Sequence, residues 1–111
     1  MKTENEVIFC IVNAGFGDAV MDAARAVGAG GGTILRARGT ASPSAEKFFQ
    51  ITVQPEKEIV MILVPEEIKD NVLRAIYDSA GLADEAQGIV FSLPIERAIG
   101  LSGFNTGNKE S

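Results

Sequence analysis

Short, fully apolar runs alternate along this chain with segments whose apolar positions recur at helical spacing. Residues 6–12, with Val7-Ile8-Phe9-Cys10-Ile11-Val12 as their body, are continuous and β-branched, which predicts a buried strand. Asn13-Ala14-Gly15-Phe16-Gly17 breaks the run. From Asp18 to Val27 the apolar residues Val20, Ala23, Ala24 and Val27 share one helical face, and Asp18 suits the positive end of that helix. Gly28-Ala29-Gly30-Gly31-Gly32 stops it. Thr33 to Gly39 reads as a second strand, in which Leu35 and Ala37 alternate with Arg36 and Arg38, so one face is apolar and the other basic.

Thr40 to Lys47 is small, polar and punctuated by Pro43, which predicts a loop. It offers almost no apolar surface to offset ordering entropy, so it is expected to stay disordered without a ligand or partner. Phe48 to Val53 is a further extended piece, Gln54-Pro55-Glu56-Lys57 interrupts it, and Glu58 to Val64 is a strong strand. Pro65 opens a second helix, where its missing N–H costs nothing. Glu66 and Glu67 fill the first turn, Ile68, Val72, Ala75, Ile76 and Ser79-Ala80 form the inner face, and Gly81 ends it. Leu82 to Gly88 is a loop, Ile89 to Leu93 the last main strand, and Pro94 to Ile99 a short following element.

The order β-α-β-β-α-β predicts an α+β, ferredoxin-like domain: an antiparallel sheet with two helices on one face. Residues 1–102 are expected to form this single domain and 103–111 a flexible C-terminal tail. The strands around residues 7–12 and 59–64 are apolar on both faces. The face without helices therefore needs a cover, and self-association is the simplest one.

Composition narrows the function. The chain has 111 residues, 46% of them hydrophobic and 23% charged, as expected of one soluble domain. With a net charge of −5 the chain has no obvious basic face of the kind nucleic-acid binders carry, so nucleic acid is not an expected partner. The polar, acidic start lacks the regions of a signal peptide, and no apolar stretch approaches the ~20 residues of a membrane span, so the cytoplasm is the expected location. Histidine is absent, which excludes Ser-His and Cys-His catalysis and histidine-based metal sites. The pairs Glu66-Glu67 and Asp84-Glu85 read as solvated. No catalytic residue and no metal ligand is assigned, and an enzyme is not expected. Cys10, the sole cysteine, reads as a small buried hydrophobe.

Two features carry candidate chemistry. The glycine run follows a helix and opens a strand, the reverse of a phosphate-binding loop. It serves either as a helix stop or as backbone that a ligand can approach closely. Arg36 and Arg38 form either a solvated strand face or an anion clamp, since guanidinium forks match phosphate and carboxylate. Phe48-Phe49 reads as a core anchor.

Several segments resemble the PII (nitrogen regulatory protein) superfamily, over roughly residues 6–102. Gly32-Thr33-Ile34-Leu35-Arg36-Ala37-Arg38-Gly39 is similar to the strand entering that family's T-loop, and Pro55 to Val64 to the strand leaving it. Gln87-Gly88-Ile89-Val90-Phe91-Ser92-Leu93-Pro94-Ile95-Glu96 resembles the B-loop and last strand, with Phe, Pro and Glu in register. The resemblance implies a compact homotrimer with inter-subunit clefts for adenine nucleotides. It also implies a T-loop that presents the signal to a transporter, an enzyme or another regulator.

The chain departs from that pattern at specific positions. Ile89 stands where the B-loop lysine meets phosphates, and Gly100 and Ser102 stand where two C-terminal arginines do. The T-loop glutamine and modifiable tyrosine have no counterpart in Thr40–Lys47. The expected ligand site lies between subunits, with Gly31, Gly32, Thr33, Arg36 and Arg38 on one side and Gln87, Gly88 and Ile89 on the other. Glycine backbone and the Thr33 hydroxyl would meet a flat base and an arginine the anionic group, with AMP or ADP preferred over ATP. The expected function is a ligand-responsive regulator acting on a partner protein through residues 40–47. The alternative is a non-signalling binding or scaffold module of the same fold.

Overall fold

A computed structural model describes residues 4–40, 56–83 and 86–100. The elements are β1 (Asn5–Asn13), α1 (Gly17–Ala26), β2 (Gly32–Arg38), β3 (Glu56–Pro65), a 3-10 turn (Glu66–Ile68), α2 (Lys69–Ser79) and β4 (Ile89–Ile95). The strands form one four-stranded antiparallel sheet in the order β2-β3-β1-β4. Both helices pack on one face of it and against each other, α1 over β1 and β3 and α2 over β1 and β4. This is the predicted ferredoxin-like arrangement.

The strand alternation decides what each face buries. Toward the helices point Ile8, Cys10 and Val12 of β1 and Val60, Ile62 and Val64 of β3, all 0% exposed. Val20 and Ala24 of α1 and Val72 and Ile76 of α2 close over them. Ala80 joins the core, whereas Ser79, expected on the inner face, is exposed. Glu6 is buried at the end of this face and lies 3.9 Å from the Lys69 ammonium.

The turn after α1 shows how the glycine run ends the helix. Gly28 has φ +109, and its N–H reaches the Arg25 carbonyl while the Ala29 N–H reaches that of Ala24. These two bonds satisfy carbonyls that the helix end leaves open, which is the Schellman arrangement.

Three boundaries differ from the sequence expectation. Glu56 and Lys57, read as an interruption, open β3, because Arg38 and Ala37 of β2 pair with them. Ladder hydrogen bonds from the partner strand outweigh the polar side-chain pattern there. Pro65 ends β3 opposite Asn5 instead of starting a helix, and a 3-10 turn precedes α2. Pro94 and Ile95 extend β4, an edge strand, where a missing N–H is tolerated. The expected extended piece 48–53, the tail 103–111 and all but Thr40 of the expected loop lie outside the described residues.

Cys10 is fully buried, and burial pushes its thiol up from 9.0 to about 12. A raised acid favours the folded state only while the unfolded thiol is also protonated. Stability from this group is therefore complete below about pH 9 and is lost as pH rises toward 12, by at most ~1.4 kcal/mol per pH unit. Denaturant unfolding between pH 9 and 11 is expected to show a steeper stability loss for the unchanged chain than for Cys10→Ala. Equal slopes would contradict it.

Candidate functional site

The face of the sheet away from the helices is where the sequence's need for a cover becomes concrete. Three successive cross-strand rows lie on it: Leu63-Val7-Leu93, Thr33-Met61-Phe9-Phe91 and Leu35-Ile59-Ile11-Ile89. Thr33 is their single polar side chain. Phe9 and Phe91 stack with centroids 5.6 Å apart. Leu35, Ile89, Phe91 and Leu93 remain 38–58% exposed, and no described element packs on them. Soluble chains rarely leave a contiguous apolar face of this kind open to water.

Arg36 and Arg38 point to the opposite face, as the alternation predicts, in register with Glu58 and Glu56. β2 is an edge strand that α1 touches only at its margin, with Gly17 near Ile34 and Met21 near Gly32, so both arginines and even Ile34 are exposed. The Glu58 carboxylate is engaged elsewhere: its Oε1 accepts the Gly17 N–H at 2.8 Å, capping the start of α1. Lys57 Nζ donates to Asn13 Oδ1 at 2.7 Å, and the Ala14 N–H donates to the Glu56 carbonyl at 3.0 Å. These three contacts tie the start of β3 to the β1–α1 turn. Sequence reasoning missed them, because their partners are more than forty positions apart and meet only through the β1–β3 register.

The structure divides the predicted site residues into two groups. β2 and β4 are the opposite edges of the sheet, about 14 Å apart at three interstrand steps. Arg36, Arg38, Gln87, Gly88 and Ile89 share one end of it, because Leu35 and Ile89 lie in one row. Gly31, Gly32 and Thr33 sit toward the other end of β2, and Thr33 faces the apolar side while the arginines face away. One chain therefore does not close the site.

The glycines differ in what they do. A Cβ on Gly32 would come within 2.6 Å of the Met61 carbonyl oxygen and 2.9 Å of the Met21 sulfur, so packing demands glycine there. Gly30 and Gly31 have nothing within 4 Å of an added Cβ and no positive φ. The fold does not require them, and their bare backbone leaves room for an incoming group. At the other edge Gln87 has φ +48, an uncommon conformation for a side-chain residue. Gly88 beside it has a tight fit: a Cβ would lie 2.5 Å from the Ile11 carbonyl oxygen and 2.6 Å from Val12 Cγ1. Backbone cannot yield as a side chain can, so Gly88→Ala is expected to cost ~1–3 kcal/mol. A denaturant midpoint unchanged by the substitution would contradict the close approach.

The sequence matches the family described as nitrogen regulatory protein P-II over residues 6–103. The chain belongs to the P-II family. Its members are regulatory proteins, and this chain is a PII-like regulatory protein. The fold is similar to that of Arabidopsis thaliana PII bound to citrate, with a TM-score of 0.68 and 20% identity over 92% of this chain and 84% of that one. It is also similar to a functionally unknown protein from Pediococcus pentosaceus, with a TM-score of 0.62 and 16% identity over 90% of this chain and 100% of that one. No curated protein sequence matches the chain significantly. Among the described residues no cluster of His, Cys, Asp or Glu is placed to hold a metal ion, and no helix is long and apolar enough to cross a membrane.

Proposed function

We propose that this PII-like chain works as a cytoplasmic homotrimer that is not an enzyme. It binds a small anionic effector in clefts between subunits and signals to a transporter or enzyme through residues 40–47. The uncovered apolar face of the sheet carries this reading, because other copies of the chain supply the cover it lacks. Association also brings the two edge groups of site residues together, which one chain leaves apart.

The ligand chemistry follows from the residues present. Arg36 and Arg38 offer two exposed guanidinium forks for a carboxylate or phosphate. Ile89 lies in the apolar row of Ile11 and gives a phosphate no charge. An effector of few phosphates, AMP or ADP rather than ATP, or a multivalent carboxylate fits this balance. A PII of the same fold bound to citrate supports the carboxylate option.

Light scattering and a thermal-shift panel test the proposal. The expected mass is that of three chains. The panel holds AMP, ADP, ATP, cyclic nucleotides, bicarbonate and citrate. A true effector raises apparent stability by about 2.7 kcal/mol when present at a hundred times its dissociation constant. A single-chain mass at micromolar concentration overturns the trimer. An assembled protein that no compound stabilises favours the non-signalling scaffold.

A further inference from the structure

Arg36 and Arg38 each face a glutamate of the neighbouring strand, Glu58 and Glu56, yet neither pair closes. Among the described residues the ion pairs are Asp22–Arg25 and Glu6–Lys69, and none joins β2 to β3. Opposite charges directly across two strands attract each other. Arg36 therefore has a countercharge in register that would neutralise it before any ligand arrives. What keeps that countercharge away decides whether Arg36 can hold an anion.

The start of α1 takes Glu58 up. The residue before the helix is Phe16, whose side chain cannot cap it. Glu58 supplies the cap from 41 positions away, with its Oε1 2.8 Å from the Gly17 nitrogen. It lies across from Val12 in the sheet, and the chain turns into α1 directly after β1, which brings the helix start to it. A carboxylate on a helix N-terminal N–H gains from a charge-assisted bond and from the helix macrodipole together. An exposed cross-strand ion pair gains less, because water screens it. Of the two partners that the fold offers Glu58, the helix wins.

Gly17 shows that this contact is built into the packing. Its φ is not positive, so backbone geometry does not call for glycine. A Cβ there would lie 2.5 Å from Glu58 Oε1, 3.4 Å from Glu58 Cδ and 3.3 Å from Ile34 Cγ2. The close approach of Glu58 demands glycine at a place where a helix ordinarily gains from a side chain. Glu56 differs. Its backbone carbonyl receives the Ala14 N–H, but its carboxylate is exposed and faces Arg38 with no helix N–H to hold it.

We propose that Glu58 is a positioning residue of the effector site. The N-terminus of α1 holds its carboxylate, so that Arg36 across from it keeps an open charge for an anionic group. The inference rests on the anionic-effector reading above and adds what keeps that cation available. It also gives Gly17 a role in binding, although Gly17 touches no ligand. Any side chain there pushes Glu58 off the helix and toward Arg36, where the incoming anion must displace it.

Titration calorimetry with AMP and citrate tests the effect on binding. Gly17→Ala is expected to weaken whichever probe binds the parent by on the order of fivefold, the strength of an exposed ion pair that must be broken first. When Glu58→Gln is also present, the same Gly17→Ala change is expected to cost less than about twofold, because no carboxylate is left to reach Arg36. A loss of equal size with and without Glu58→Gln would mean simple damage to the fold, and would overturn the proposal. So would a Gly17→Ala variant that binds as tightly as the parent.

The Gly17 amide resonance tests the geometry without a ligand, and covers a Gly17→Ala variant that fails to fold. Glu58→Gln is expected to move that resonance strongly, whereas Arg36→Ala leaves it in place. A Gly17 amide that ignores Glu58→Gln, or that moves with Arg36→Ala, places the carboxylate on Arg36 and overturns the proposal. Failure of the effector reading looks different: Arg36→Ala then leaves probe binding undiminished while the Gly17 amide still reports Glu58.

Discussion

Phe9→Lys is expected to reduce the assembly to single chains. Phe9 sits in the middle row of the open face, stacked on Phe91 and flanked by Met61 in the neighbouring strand. Its side chain points away from the helices, so the core of Ile8, Val60 and Val72 does not depend on it. In a separated chain the ammonium reaches water. In an assembled one it is buried among apolar rows with no carboxylate on the same face, and an unpaired buried charge costs roughly several kcal/mol even after relaxation. Light scattering at micromolar concentration should give one-chain mass, with a circular dichroism spectrum close to the parent's. A variant of parental mass would mean that the open face is not the surface through which copies meet.

The combined change Arg36→Ala and Arg38→Ala is expected to abolish effector binding while sparing the fold. Each charge-assisted contact contributes about 1.5–3 kcal/mol, so losing two weakens affinity on the order of 10²- to 10⁴-fold. Both side chains are exposed on an edge strand, where substitutions usually move stability by no more than ~0.5 kcal/mol each. Glu56 and Glu58 lose their cross-strand neighbours, but the Gly17 N–H keeps Glu58 engaged. Titration calorimetry with whichever panel compound stabilises the parent checks the result. Undiminished affinity would move the anion site away from β2.

How much of this was legible in the sequence depends on the range of the interaction concerned. β1 and the body of β3 were plain, because runs such as Val7–Val12 hold the strand signal locally. The opposed apolar and basic sides of β2 followed from alternation alone. The need for a second cover could also be read, since those runs were apolar at odd and even positions alike. Glu56, Lys57, Pro65 and Pro94 were misassigned where strand membership is decided by a distant partner rather than by the residue itself. The candidate site was legible only as a set of residue types. That Arg36 lies level with Gly88 across the sheet, and that Thr33 faces the other way, required the β2-β3-β1-β4 order. The contacts of Lys57 and Glu58 with the β1–α1 turn left no local trace.

The near absence of polar side chains from the three open-face rows has a thermal consequence. With Thr33 as its single polar member, this surface has little but apolar area with which to attract a partner. Such attraction is almost entirely entropic near 25 °C, weakens on cooling and carries a large negative heat-capacity change. Copies that meet through it should hold together least well in the cold, and dissociation curves taken at 4 °C and 37 °C should differ in the direction opposite to that of a salt-bridged interface.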